Sequence, residues 1–227
     1  MKVLTIFLFS LLSMLGAVNA QTADDMLHKV SVAIESGQQA QAVSYFRQAI
    51  ALNIDRSEMF YWTAIDKRSE ISLKLSYELA LAYKDRRNYD KAYLFYKELL
   101  QKNAEDINYL EDIAEIQVCR GQEKDAMRIY ENILRLNPDD LAANIFLGNY
   151  YYLESEQAKK QLENEYSRIP SPTKMQYARY RDGLSKLFAT GYEKARSSLE
   201  RVMSRFPSTE AQKTLNKILL IEKEVNR

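Results

Sequence analysis

The chain has 227 residues, a formal net charge of +1, 46% hydrophobic residues and 28% charged residues, which is the balance of a folded protein and not of a disordered one. Its 6 glycines and 4 prolines are few for this length, so an all-β architecture, which needs many turns, is disfavoured. A single Cys excludes an internal disulfide. A single His disfavours a His-based metal site or a catalytic triad. The near-neutral net charge disfavours nucleic-acid binding.

The first twenty residues predict a signal peptide. Lys2 is followed by an apolar stretch, and small residues lead to Ala20, where cleavage before Gln21 is expected. A single transmembrane anchor is the alternative, but the stretch is shorter than the roughly 20 apolar residues that span a bilayer. Because Gln21 is not a cysteine, no lipid anchor is predicted. We expect an exported bacterial protein, periplasmic or secreted, without a transmembrane segment after cleavage.

The rest of the chain carries a repeat. Segments that begin at Gly37, Arg87 and Gly121 each have an alanine five residues later and an aromatic residue four residues after that alanine. These alanines are Ala42, Ala92 and Ala126, and Ala195 is a fourth of the same kind in a later segment. Ala92 and Ala126 are 34 residues apart. Prolines follow nearly the same period, at Pro138, Pro172 and Pro207. A fixed period of this length indicates stacked helical pairs.

This pattern resembles the tetratricopeptide repeat. The resemblance implies an all-α fold, namely a right-handed α-solenoid of about five helix–turn–helix units with a C-terminal capping helix. The units are expected at about 23–56, 73–106, 107–140, 141–175 and 176–209, with an insertion at 57–72 and the capping helix at 210–227. The fourth unit departs from the pattern, because Lys160 and Asn164 stand where an alanine and an aromatic residue are expected. An RNA-reading helical repeat has a similar length, but the neutral charge and the export signal disfavour it.

The resemblance also implies a concave groove lined by the first helix of each unit. The residues that we expect to contact a partner there are Tyr77, Lys84, Glu111, Glu115, Asn149, Tyr152, Tyr177, Tyr180 and Arg181. The repeat frame also turns Val118, Ala142, Ile145 and Phe146 toward the groove. The middle of the groove is therefore predicted to be acidic and its C-terminal part aromatic, which suits a basic or amide-rich peptide. The alternative is that several of these rings pack between repeats.

The insertion contains the aromatic run Met59-Phe60-Tyr61-Trp62, which includes the single Trp. Two interpretations are open. The run is either a lid over a binding site or a local plug that packs against the first two units.

These features predict a non-enzymatic exported scaffold that binds a protein or an extended peptide, with a role in cell-envelope assembly as a further expectation. We expect no cofactor and no metal. The residues with which some family members hold a C-terminal carboxylate are absent, which disfavours a chaperone-tail adaptor. The alternative function is a glycan- or cell-wall-binding accessory protein that uses the aromatic C-terminal groove and Trp62.

Overall fold

The computed structural model describes residues 22–226, so the predicted signal peptide lies outside the described residues. This part of the chain consists of helices and connecting turns without a strand, which confirms the predicted all-α class. None of the helices within it has the length and apolar character needed to cross a membrane. The helices are α1 (Ala23–Glu35), α2 (Gln39–Leu52), α3 (Ile54–Ala64), α4 (Glu70–Asp85), α5 (Tyr89–Lys102), α6 (Ile107–Cys119), α7 (Glu123–Leu136), α8 (Leu141–Ser167), α9 (Lys174–Leu187), α10 (Glu193–Arg205) and α11 (Thr209–Val225). The chain divides into two compact units, one ending at Leu99 and the other beginning at Leu100.

Three helical hairpins, α1–α2, α4–α5 and α6–α7, fall within the first three predicted repeats. Each hairpin turns through one residue in the left-handed conformation, and these residues are Gly37 at φ 71°, Arg87 at φ 58° and Gly121 at φ 71°. The N–H of the next residue donates back into the first helix, as from Gln38 to the carbonyl of Ala33 at 2.8 Å. This arrangement satisfies carbonyls at the helix end and explains why glycine occupies two of the three positions.

The small residues of the repeat lie where the helices approach one another. All of the alanines that mark the repeat are fully buried, namely Ala42, Ala92, Ala126 and Ala195. Small residues in the first helix of two hairpins, Ala80 and Ala114, are fully buried as well. Protein interiors are close-packed, so larger side chains at these positions would push the helices apart.

The insertion between the first two repeats is a helix that belongs to the core of the first compact unit, the one that ends at Leu99. The side chain of Asn53 caps the N-terminus of α3. The helix therefore begins at Ile54, three residues before the predicted start of the insertion at residue 57. Tyr61 is 1% exposed, and its hydroxyl donates to Glu98 at 2.9 Å. Trp62 is half exposed and stacks on Phe95 with 5.6 Å between the ring centroids. The aromatic run is therefore a plug, which decides between the two interpretations.

The fourth predicted repeat forms one helix instead of a hairpin. α8 runs from Leu141 to Ser167, and the turn expected in its middle is absent. The position that is left-handed in the first three hairpins is Ser155 here, and it is helical and buried. Alanine, leucine, lysine, glutamine and glutamate, all good helix formers, follow it, and the next proline is Pro170. Nothing in the sequence stops the helix before its observed end.

The fifth predicted repeat also lacks its turn. α9 continues through a π-helical segment, Phe188–Tyr192, into α10. Gly191 in this segment is buried against α8, and a Cβ on Gly191 would lie 2.0 Å from the Ser155 Oγ. Because neither residue carries a large side chain, the two long helical stretches approach each other closely at this point.

The predicted C-terminal helix is α11, and it covers an apolar cluster in the second unit. Ala211, Ile218 and Ile221 of α11 are buried together with Tyr192 and Leu199. A repeat array exposes an apolar face at its end, and a terminal helix that buries this face stabilises the last unit.

Candidate functional site

A groove in the second unit lies between the end of α6, α7 and the N-terminal half of α8. Its volume is about 680 Å³. We call it the α8 groove, and its lining residues are Val118, Glu123, Tyr130, Ala142, Ile145, Phe146, Asn149, Tyr150, Leu153, Glu154 and Gln157.

The spacing of the α8 residues explains why they reach the groove. Ile145, Asn149 and Leu153 recur every four residues, which places them along one face of the helix. Asp140 fixes the start of that helix, because its side chain accepts a hydrogen bond from the N–H of Ala143 at 2.9 Å. A buried cap thus sets where α8 begins and which of its faces meets the groove.

The groove combines stacked rings with exposed aliphatic side chains. Phe146 stacks with Tyr130 at 4.5 Å and with Tyr150 at 5.8 Å, measured between ring centroids. Beside these rings, Ile145 is 42% exposed and Leu153 is 59% exposed. Exposed aliphatic groups in a concave site are the surface that an apolar residue of a partner would cover.

Two of the three helices around the groove carry more acidic than basic residues, although the whole chain is nearly neutral. The third, α7, has as many basic residues as acidic ones. α6 contains Glu111, Asp112 and Glu115 and no lysine or arginine. α8 likewise has no basic residue in its N-terminal half. Of the lining residues, Glu123 and Glu154 are exposed carboxylates, and within residues 22–226 neither has a basic side chain at ion-pair distance. Local charge, and not net charge, decides what a cleft attracts.

Two pKa shifts are consistent with this acidic surrounding. Burial, together with the charges of Glu154 and Glu123, raises the pKa of Tyr150. Burial and the neighbouring Asp140 raise the pKa of Glu111, which shares a hydrogen bond with Asp140. Glu111 therefore keeps its proton at a higher pH than an ordinary glutamate does. The Glu111 carboxyl group is thus hydrogen-bonded to Asp140, the residue that caps the N-terminus of α8.

Three of the predicted contact residues belong to this region. Asn149 lines the α8 groove and is exposed. Glu111 and Glu115 precede Val118 by seven and three residues, so all three lie on one face of α6. Glu115 is exposed and Glu111 is half-buried.

The predicted tyrosines of the second unit lie outside the α8 groove. Tyr152 is half-buried and packs edge-to-face on Tyr192, with 6.2 Å between the centroids. Tyr180 stacks on Tyr166 at 4.5 Å. Tyr177 is 51% exposed. The alternative interpretation, in which aromatic rings pack within the protein, therefore describes Tyr152 and Tyr180.

Arg181 has a structural role in this fold. Its guanidinium group donates to the backbone carbonyl of Glu224 at 2.8 Å and to that of Val225 at 2.5 Å. These carbonyls lie at the C-terminal end of α11, where no following helical turn supplies donors, so Arg181 caps α11 and attaches it to α9.

Tyr77 and Lys84 lie on α4 in the first unit, and neither lines the α8 groove. Both are half-buried, and Tyr77 packs edge-to-face on Tyr96 with 6.2 Å between the centroids.

Several groove residues were not expected from the repeat frame. Glu123 and Tyr130 come from α7, a second helix, whereas only first helices were expected to line the groove. Glu154 and Gln157 were missed because the frame placed a turn near them, and the uninterrupted α8 instead extends the same face. Continuing the four-residue spacing beyond Asn149 would have found Gln157.

A second cavity, of about 610 Å³, lies along α8 beside α7 and α10. Polar groups that line it bond within the protein: Arg201 donates to the Pro138 carbonyl at 2.7 Å, and the Tyr151 hydroxyl donates to Glu131. The Asn144 Oδ1 in its lining is buried without a hydrogen-bond partner among residues 22–226. We take the α8 groove as the better candidate because it alone of the two combines exposed aliphatic side chains with stacked rings.

The three hairpins, their left-handed turn residues and their buried alanines give this chain a tetratricopeptide-like helical-repeat fold. The chain is similar to a Bacteroides ovatus ATCC 8483 protein whose crystal structure is known at 2.19 Å resolution and which is provisionally described as a protein-binding protein. The two are 73% identical, the match covers 90% of this chain and 100% of that chain, and the TM-score is 0.82. The chain belongs to the same family as this protein.

Two further solved structures are more distant. A tetratricopeptide-repeat protein of Parabacteroides merdae ATCC 43184 is 13% identical, over 87% of this chain and 98% of that chain, with a TM-score of 0.39. A thermophilic one from Thermus thermophilus is 16% identical, over 88% of this chain and 100% of that chain, with a TM-score of 0.33. Likenesses this weak add nothing to the fold described above. Neither a family model nor a curated protein sequence matches the chain.

Proposed function

We propose that this chain is a non-enzymatic, exported interaction protein that binds a segment of another protein in the α8 groove. The observation that carries the proposal is the exposed aliphatic face of α8, where Ile145 and Leu153 stand beside stacked rings in a concave site. Helical-repeat proteins use such concave surfaces for extended partners. The provisional description of the Bacteroides ovatus relative as a protein-binding protein agrees with this role.

The proposal includes export to the periplasm or the medium, because of the predicted signal peptide, and a role in cell-envelope assembly. The groove offers no arrangement of nucleophile and base, which supports a binding role over a catalytic one. Glycan binding, the alternative function, has weaker support, because Tyr152 and Tyr180 of the predicted aromatic groove are half-buried and pack on neighbouring rings of the protein.

The experiment compares two double variants of the tagged chain in affinity capture from envelope extracts of its host. Ile145→Ser with Leu153→Ser removes the exposed aliphatic surface of the groove. Leu219→Ser with Leu220→Ser removes an equally exposed pair on α11, outside the groove, and is the matched control. We expect a protein that the unaltered chain and the control recover in equal amounts, and that the groove variant recovers at no more than about one tenth, which corresponds to roughly 1.4 kcal/mol. Equal recovery by all three chains would mean that the groove is not the binding site.

A further inference from the structure

The charges in the α8 groove restrict which protein segment fits it. The lining carboxylates Glu123 and Glu154 are exposed, and within the described residues neither is neutralised by a basic neighbour. The nearest arginines along the chain have other bonds, since Arg120 donates to Gln117 at 2.8 Å and Arg128 to Asp125 at 3.2 Å. The charge of Arg128 acts on the lining residue Tyr150, but in the part of the chain that the structure describes neither lining carboxylate is held in an ion pair. A partner that enters the groove therefore meets two carboxylates that are available to a basic group.

The apolar part of the site shares the groove lining with these carboxylates. Ile145, Phe146 and Leu153 offer aliphatic and aromatic surface, and Glu154 follows Leu153 directly on α8. An occupant that covers Leu153 brings its neighbouring residue close to Glu154. If that neighbour were acidic, like charges would face each other in a partly desolvated cleft, which is unfavourable.

We infer that the segment bound in the α8 groove has an apolar side chain next to a lysine or arginine, with the apolar side chain on Ile145 and Leu153 and the basic group at Glu123 and Glu154. This inference rests on the proposed binding function of the groove and adds the chemistry of the partner. Burial is the main cause of the raised pKa of Tyr150, and among the nearby charges Glu154 and Glu123 raise this pKa while Arg128 lowers it.

The experiment measures fluorescence anisotropy of short labelled peptides with the full chain after removal of residues 1–20. Three peptides share an apolar centre of leucine and tryptophan and differ only in their flanks, which are lysine, glutamine or glutamate. A fourth has lysine flanks and a serine centre. We expect the lysine-flanked apolar peptide to bind at least about tenfold more tightly than the glutamate-flanked one, and binding to weaken as salt is added.

Paired substitutions then locate the effect. Glu123→Gln with Glu154→Gln should reduce the preference for lysine over glutamate flanks to about threefold or less. Glu105→Gln with Glu200→Gln removes two exposed carboxylates outside the groove lining and should leave the preference unchanged. Circular dichroism of the variants checks that all of them remain folded.

Three results would overturn the inference: equal binding of peptides with different flanks, equal binding of the serine-centred peptide, or binding of none of the four. None of these outcomes decides the proposed function, because the capture experiment with the Ile145 and Leu153 variant uses the natural partner and no synthetic peptide. If that capture is unaffected by the variant, the proposed function fails whichever peptides bind.

Discussion

At the scale of single residues, a left-handed backbone position decides whether the chain turns. Gly37, Arg87 and Gly121 adopt this conformation, and each closes a hairpin. Two of the three are glycines, which the sequence shows directly, whereas Arg87 could be recognised only from its place in the repeat. Gly191 stands one residue beyond the corresponding position in the last repeat, yet it is helical and lies against Ser155. A glycine at or next to the turn position of the repeat therefore indicates either a turn or a close contact between two helices.

This contact gives a prediction for Gly191→Ala. The new methyl group would lie 2.0 Å from the Ser155 Oγ and 3.3 Å from its Cβ, at a site where both residues are buried. Overpacking of this kind costs about 1–3 kcal/mol, partly offset by the higher helix propensity of alanine. We expect a lower free energy of unfolding in urea, with part of the loss recovered when Ser155→Ala is added to the same chain.

Ser155→Ala alone serves as the control for that pair. The double-mutant cycle should show a coupling energy above about 0.5 kcal/mol, because the two side chains would collide only when both are present. Additive effects of the two substitutions would show that the helices separate to accommodate the methyl group.

At the scale of elements, the two long helical stretches are held to the C-terminal helix by polar contacts at its end. Arg181 of α9 donates to the last carbonyls of α11. Lys159 of α8 pairs with Glu224 of α11 at 3.1 Å. Arg181 was expected to line the groove, so an arginine in a predicted groove does not by itself indicate a binding residue.

Arg181→Gln tests the attachment of α11. Loss of the charged cap removes two hydrogen bonds to helix-end carbonyls, and charge-assisted hydrogen bonds contribute about 1.5–3 kcal/mol each when they are shielded from water. Since Arg181 is only half-buried, we expect a smaller loss, of about 1 kcal/mol. The measurement is amide hydrogen exchange, which should become faster in α11.

Arg179→Gln is the matched control for this prediction. Arg179 lies on the same helix, is exposed and contacts only the Met175 sulfur at 3.7 Å among the bonds described. Its replacement should leave the exchange of α11 unchanged. Equal acceleration in both variants would indicate a general weakening of α9 and would contradict the capping role of Arg181.

At the scale of the whole molecule, the near-neutral net charge conceals a local excess of carboxylates. The chain has 32 basic and 31 acidic residues, but α6 and the N-terminal half of α8 have no lysine or arginine. The sequence alone was enough to place Glu111 and Glu115 in a predicted groove, and their role in binding stays a prediction. It could not place Glu123 and Glu154 in one groove, because that proximity depends on how α7 and α8 pack.

Export is also a property of the whole chain and can be tested directly. A chain tagged at its C-terminus should be recovered outside the cytoplasm with Gln21 as its first residue, as measured by N-terminal sequencing. Leu11→Arg with Leu12→Arg breaks the apolar stretch and should keep the longer precursor in the cytoplasm. Thr22→Ser, beyond the expected cleavage site, should have no effect. A full-length product in the cytoplasm of the unaltered chain would contradict export.

The sequence by itself determined the features that depend on local chemistry. Helical periodicity, small residues at fixed spacing and turn glycines were sufficient for the all-α class and for the first three hairpins, since each of these features acts over one or two helical turns. The tertiary structure decided whether the later helices continue or turn, because a stretch of good helix formers without a stop signal continues when its neighbours can accept its length. In this protein the neighbouring helices make room for each other at the contact of Gly191 with Ser155. The groove likewise exists only after α6, α7 and α8 have packed together, because its carboxylates and rings come from different helices.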